Sequence, residues 1–154
     1  MVLKPKIENV AQLLDLDRNK ELSSLTPLSD TVVRDIARRY PGISSQYLEF
    51  IRTIGTGETT RGFYIYDPEP ASDVERHTSF RLYNSKDKRD AFTQRLPADA
   101  IMIADPGASW RYCLCPSMGQ AVFCLDMGPP LFETEAEDFF SFVAGSVILG
   151  AAEE

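Results

Sequence analysis

Cys113, Cys115 and Cys124 are the residues whose type and spacing first raise a question of chemistry, because a turn between them would bring three sulfurs onto one β-hairpin. Zinc held this way needs a fourth ligand, and structural sites usually leave a gap of two to four residues between paired cysteines, not one. The single histidine, His77, is remote in sequence and has no link to them. An odd cysteine count also argues against a disulfide framework. The three are read as small apolar strand residues, and no metal is expected.

His77 lies in the polar stretch Asp73-Val74-Glu75-Arg76-His77-Thr78-Ser79. A histidine can act as general base toward a Cys or Ser nucleophile, yet no nucleophile elbow or other local signature accompanies it. The carboxylates form no recognisable acid/base motif. Gly55-Thr56-Gly57 with Gly62 invites a phosphate-loop reading. Those motifs follow a strand, whereas these glycines follow a helical pattern, and their spacing fits neither the Walker nor the dinucleotide fingerprint. They read as a helix stop and a turn. No catalytic residue and no cofactor are expected, although an enzyme using Cys113 or His77 is the rival that mutation to Ala would expose.

The aromatic residues Tyr64, Tyr66, Tyr83, Trp110 and Tyr112 are more informative. Alternate strand positions face inward, so about half of these rings belong to a core. The others would lie on the opposite face, where Tyr, Trp and Arg favour protein contact.

Charge narrows the partner. The chain of 154 residues carries 16 Lys+Arg against 23 Asp+Glu, a net charge of −7. Up to Arg111 there are 16 of each sign, and from Tyr112 onward there is no Lys or Arg. The acids beyond that point are Asp126, Glu133, Glu135, Glu137, Asp138, Glu153 and Glu154. A negative field repels phosphate backbones and anionic lipid, so neither nucleic acid nor membrane is an expected partner. Part of this acidity also reads as helix-start chemistry, with Thr134 as N-cap and Glu137 at the third helical position of a capping box.

The elements that would position these residues follow from periodicity. Ile7, Val10, Ala11 and Leu14 have helical spacing after Pro5, and Asp15–Thr26 reads as a connection. A second helix starts at Ser29, with Leu28 stapled to Val33 and a stripe of Val33, Ile36, Ala37 and Tyr40 before Pro41-Gly42. A third starts at Ser44 with a face of Tyr47, Leu48, Ile51 and Ile54, and Gly55 is a candidate left-handed stop. Short aromatic and β-branched runs then predict strands at Gly62–Asp67, Ser79–Tyr83, Ala100–Ala104, Trp110–Cys115 and Gln120–Asp126. Pro116-Ser117-Met118-Gly119 marks a hairpin, Lys86–Gln94 a short surface helix, and Gly128-Pro129-Pro130 the end of the sheet. The last helix is placed at about Thr134 to Leu149, its face Ala136, Phe140, Val143 and Val147 widened by Phe139 and Phe142. Helices and strands in separate runs give an α+β single domain over residues 1–154. Its sheet, mixed or antiparallel, is expected to have about five or six strands, with helices at the N-terminal end and a C-terminal helix packed on it. With 44% apolar residues, no run long enough to span a membrane and no apolar leader segment, a cytoplasmic globular domain is expected.

One resemblance adds to this. The run from Tyr40-Pro41-Gly42-Ile43-Ser44 through Tyr47-Leu48-Glu49-Phe50-Ile51 to Gly55-Thr56-Gly57 resembles the SUKH superfamily (Smi/Knr-like) signature, in which a Pro-containing helix entry leads to a Tyr-x-x-Phe-Leu helix and an Asn-Gly-Gly-like turn. Leu96-Pro97-Ala98-Asp99-Ala100 with Ile101–Asp105, Tyr112-Cys113-Leu114, Val122-Phe123 and Phe139-Phe140-Ser141-Phe142-Val143 complete a similar order over residues 25–149. The chain departs from the family at Gly55-Thr56-Gly57 and at Ala108-Ser109-Trp110, where a Gly-Asp pair is common. The resemblance implies a non-enzymatic domain that binds other proteins. In bacteria such domains are commonly immunity proteins that neutralise a co-encoded toxin, often a nuclease; a housekeeping adaptor of the same fold is the alternative. Joined to the acidity, this predicts a basic toxin as partner, with Trp110 and Arg111 as contact anchors and Glu133, Glu135 and Asp138 supplying charge.

Overall fold

Each of the first three helices begins where a short polar side chain can satisfy a free backbone donor. In the computed structural model, which describes residues 6–71, 79–83, 92–95, 97–108, 110–126 and 131–149, Asn9 caps α1 (Val10–Leu16) by accepting from the Gln12 N–H. Ser29 caps α2 (Asp30–Arg39) through Val32, and Ser44 caps α3 (Ser45–Thr53) through Tyr47, both at 3.2 Å. The stripes of α2 and α3 bury Val33, Ile36, Tyr47, Phe50, Ile51 and Ile54. The phase of α1 differs from the expected one. Leu13 is buried and Leu14 is 47% exposed, because Ile7 lies before the helix and cannot set its phase, leaving Val10 and Leu13 as the inward pair. The expected connection Asp15–Thr26 holds the end of α1 and a 3₁₀ turn, Glu21–Ser24. Asp17 is buried there because its carboxylate accepts from the Glu21 and Leu22 N–H groups at 2.8 and 2.9 Å.

Eight strands form one mixed sheet among the described residues: β1 (Gly57–Glu58), β2 (Tyr64–Pro70), β3 (Ser79–Tyr83), β4 (Phe92–Arg95), β5 (Ile101–Asp105), β6 (Trp110–Leu114), β7 (Val122–Asp126) and β8 (Leu131–Ala136). Their order is β1-β2-β5-β6-β7-β8-β3-β4. Every adjacent pair is antiparallel except β3 with β8. The α+β class is as expected; the sheet is larger than the five or six strands read from the sequence. Two of the additions replace expected features. Phe92–Arg95 pairs with β3 where a surface helix over Lys86–Gln94 was expected, the earlier part of that stretch lying outside the described residues.

The second correction concerns Thr134 and Glu137. Leu131–Ala136 pairs with β7 on one side and with β3 on the other, so Thr134 sits in a ladder opposite Phe123 instead of capping a helix. The sheet therefore continues past Gly128-Pro129-Pro130, which itself lies outside the described residues. The backbone donors of β8 are used across strands, and the helix begins only at Asp138, whose carboxylate accepts from the Ser141 N–H at 2.8 Å. From there α4 runs as α-helix over Phe139–Phe142 and as π-helix over Val143–Leu149.

Alternation divides the apolar residues between two sheet faces. On the helix side, Ile65, Ile101, Ile103, Tyr112, Leu114 and Val122 pack with Ile36, Tyr47, Phe50, Phe139, Phe140 and Phe142. On the other side Met102, Cys113, Cys115, Phe123, Leu125 and Phe132 form a smaller cluster, with Phe123 and Phe132 stacked 4.8 Å apart. Tyrosines tie α2 and α3 to the sheet. The Tyr47 hydroxyl donates to the Tyr66 carbonyl at 2.7 Å, and that of Tyr40 to the Pro68 carbonyl at 3.3 Å.

The β6–β7 hairpin turns through Pro116–Met118 and is held by Asp99. Its carboxylate accepts from the Ser117 N–H at 2.6 Å, the Ser117 hydroxyl at 2.8 Å and the Cys115 thiol at 3.2 Å. Partial burial pushes this carboxyl upward, but the Ser117 and Cys115 bonds outweigh it and leave it below the usual carboxylate range. A lowered folded-state value means the stabilisation is complete above the unfolded-state value and is lost as pH falls through the folded one. Asp99→Ala is therefore expected to lower stability by about 1–2 kcal/mol at neutral pH. The difference from wild type should shrink in urea titrations run below pH 4.

Candidate functional site

The strand alternation that buries Ile65 on the helix side turns Tyr64 and Tyr66 to the opposite face. Glu58 stands opposite Tyr64 in the β1–β2 ladder, and Glu69 opposite Met102, which belongs to the same outer face. Arg111 neighbours the inward Tyr112 and so also points outward, where it is exposed. These side chains, with Asp67 and Asp105, line an open groove of about 640 Å³. Among the described lining residues four carboxylates, Glu58, Asp67, Glu69 and Asp105, accompany one guanidinium, that of Arg111.

Several contacts stiffen the groove. The Tyr66 hydroxyl donates to the Ala104 carbonyl at 3.3 Å, and the Asp105 carboxylate accepts from the Gly107 N–H at 2.8 Å. Tyr64 is 40% exposed, and the charge of Glu58 and a hydrogen bond with it hold its phenol above the ordinary value. Burial, followed by the Asp105 charge, raises Tyr66 further, against an opposing effect of Arg111. Both phenols are therefore neutral at physiological pH and present amphipathic rings beside acidic groups. Such a floor suits the alkyl stems and charged heads of Lys and Arg side chains.

The five residues expected to meet a partner fall in different places. Arg111 lines the groove. Trp110 turns the other way: it is half-buried against the helix-side core, and its indole N–H donates to the Tyr112 hydroxyl at 3.0 Å. Glu133 lies opposite Cys124 on β8, and Glu135 is the residue left over where the β7 register shifts between Val122↔Ala136 and Phe123↔Thr134. Desolvation and then the neighbouring Glu133 charge raise the Glu135 carboxyl. Asp138 caps α4. The groove acids were missed because they come from the half of the chain whose charges cancel. The available signal was the alternation of Tyr64 and Tyr66 about an inward Ile65.

The cysteines do not converge. Tyr112↔Cys124 pairing puts Cys124 on the helix side, while Cys113 and Cys115 belong to the outer cluster. Burial pushes the Cys113 thiol far above its ordinary value and raises Cys115 and Cys124 each to about 12. All three are thiols at neutral pH, and the thiolate is the reactive form. His77 lies outside the described residues. Among the described residues, no group of three or more His, Cys, Asp and Glu side chains is arranged to hold a metal, and no helix is long and apolar enough to cross a membrane. Compared with family models, curated proteins and solved structures, the chain matches none.

Proposed function

We propose that the chain is a SUKH-like, non-enzymatic protein-binding domain acting in the cytoplasm as an immunity protein, which neutralises a basic, nuclease-like toxin by occupying its active site or substrate groove. The acidic groove carries this reading: four carboxylates and two tyrosines are collected on one face around a single Arg111. Complementary fields speed encounter and fix register, while tight binding needs aromatic anchors that leave water. Tyr64 and Tyr66 supply rings beside the charge, and Arg111 meets a carboxylate of the partner. The high thiol values of Cys113, Cys115 and Cys124 favour binding over thiol catalysis.

The test is a titration of the toxin encoded in the neighbouring reading frame with this protein. Toxin activity is expected to fall to zero at one equivalent, with association slowing as salt rises. Charge reversal at Glu69 and Asp105 together should slow association by about tenfold at low salt. A toxin that stays fully active in excess protein overturns the proposal, and several partners of moderate affinity would transfer it to the adaptor role.

A further inference from the structure

A second cavity, of about 540 Å³, lies between α1, the end of β8 and α4. Its floor is apolar, made by buried Ile7 and Ala144 with half-buried Leu16 and Ala136. Glu135 and Glu137 stand exposed at its rim, with Lys6 the one basic group among the described lining residues. Ser141 and Ser146 of α4 add hydroxyls to the lining. The volume is that of a small-molecule site, and apolar surface joined to a few polar groups is the usual composition of such sites.

One wall comes from the π-helical turns Val143–Leu149. Runs of π-helix are rare and recur at functional positions. Gly145 is an exposed residue of this wall, and a Cβ built there meets no atom within 4 Å. A larger residue would enter space that the protein leaves open.

We infer that this cavity binds a small molecule consisting of an unbranched aliphatic stem and a cationic head, of the alkylammonium class. The stem lies against Ile7, Leu16, Ala136 and Ala144, where burial of its methylenes supplies the driving force. The head stays at the rim beside Glu135 and Glu137, whose two negative charges outnumber the one positive charge of Lys6. An anionic head would meet net repulsion at the same place. The site is built from different residues than the acidic groove and does not depend on the toxin-binding reading.

The probe is n-octylammonium chloride, titrated into the full chain while the amide signals of Ala136 and Ala144 are followed by NMR. Saturable shifts are expected, with octanoate at least about tenfold weaker and Glu135→Gln weakening octylammonium about fivefold. Gly145→Leu is expected to weaken binding at least about fivefold with an unchanged thermal transition, since Gly145 lines the cavity, an added side chain there meets no protein atom, and leucine favours helix over glycine. Unsaturated octylammonium shifts overturn the inference, as do equal affinity for octanoate and binding undiminished in a folded Gly145→Leu protein. Should Gly145→Leu fail to fold, the ammonium-to-carboxylate ratio in wild type and in Glu135→Gln decides alone: loss of the preference in the variant supports the site, and an unchanged ratio overturns it.

Discussion

Gly55→Ala is expected to cost at least about 4 kcal/mol, a large share of the stability of a domain this size. Two independent penalties act at this position. The backbone has φ +118°, where a side chain is strained by ~1–2 kcal/mol. A Cβ would also lie 2.0 Å from both the carbonyl carbon and oxygen of Thr26. Backbone cannot swing aside as a side-chain tip can, so Thr26 itself must move. That movement breaks the Thr26–Thr56 bridge, whose two N–H···O bonds are 2.9 and 3.0 Å. Gly119→Ala is the matched control: φ is +96°, yet nothing lies within 4 Å of the added carbon. It should lose only the strain, about 1–3 kcal/mol. Urea midpoints for the two variants separate strain from clash, and equal losses would refute the backbone-contact account.

Phe139→Ala carries the second large effect, about 3–5 kcal/mol. Phe139 is fully buried and meets the rings of Tyr47 and Phe50 edge-on, each at 5.3 Å, with Phe142 at 5.9 Å. Truncation would remove the ring that joins α3 to α4 and leave a void bounded by stiff aromatics that cannot collapse into it. Leu149→Ala, at a residue 42% exposed, should change stability by less than about 0.5 kcal/mol. If calorimetry gave the two variants similar transition temperatures, α4 would not be part of the core.

These two positions also mark what the sequence made legible. Phe139 was placed on an inward face by its spacing from Phe140, Phe142 and Val143, and the caps at Ser29 and Ser44 were visible as short polar residues before apolar stripes. Gly55 was recognised as a helix stop, but its closeness to Thr26 is a tertiary contact that no local pattern encodes. Thr134 misled because Thr-Glu-Ala-Glu satisfies a capping box as well as it satisfies a strand. The choice was made by β7 and β3, which supply ladder partners on both sides of β8. The acidic groove was hidden for a similar reason. Glu58, Glu69 and Asp105 are separated in the chain and are brought together by β1, β2 and β5, so their charge is concentrated only after folding.

The tyrosines that tie α2 and α3 to β2 have a consequence for how the protein behaves in a crowded solution. Among the described residues β1 pairs only with the Tyr64–Ile65 end of β2, and a strand margin left open is a template on which foreign chains can grow as fibres. Here the Tyr66 and Pro68 carbonyls are already engaged by the Tyr47 and Tyr40 hydroxyls. Pro68 and Pro70 have no amide hydrogen to offer. An incoming strand would find two acceptors engaged and two donors missing beside the exposed carboxylates of Asp67 and Glu69, so hydroxyl, proline and charge together oppose fibre growth.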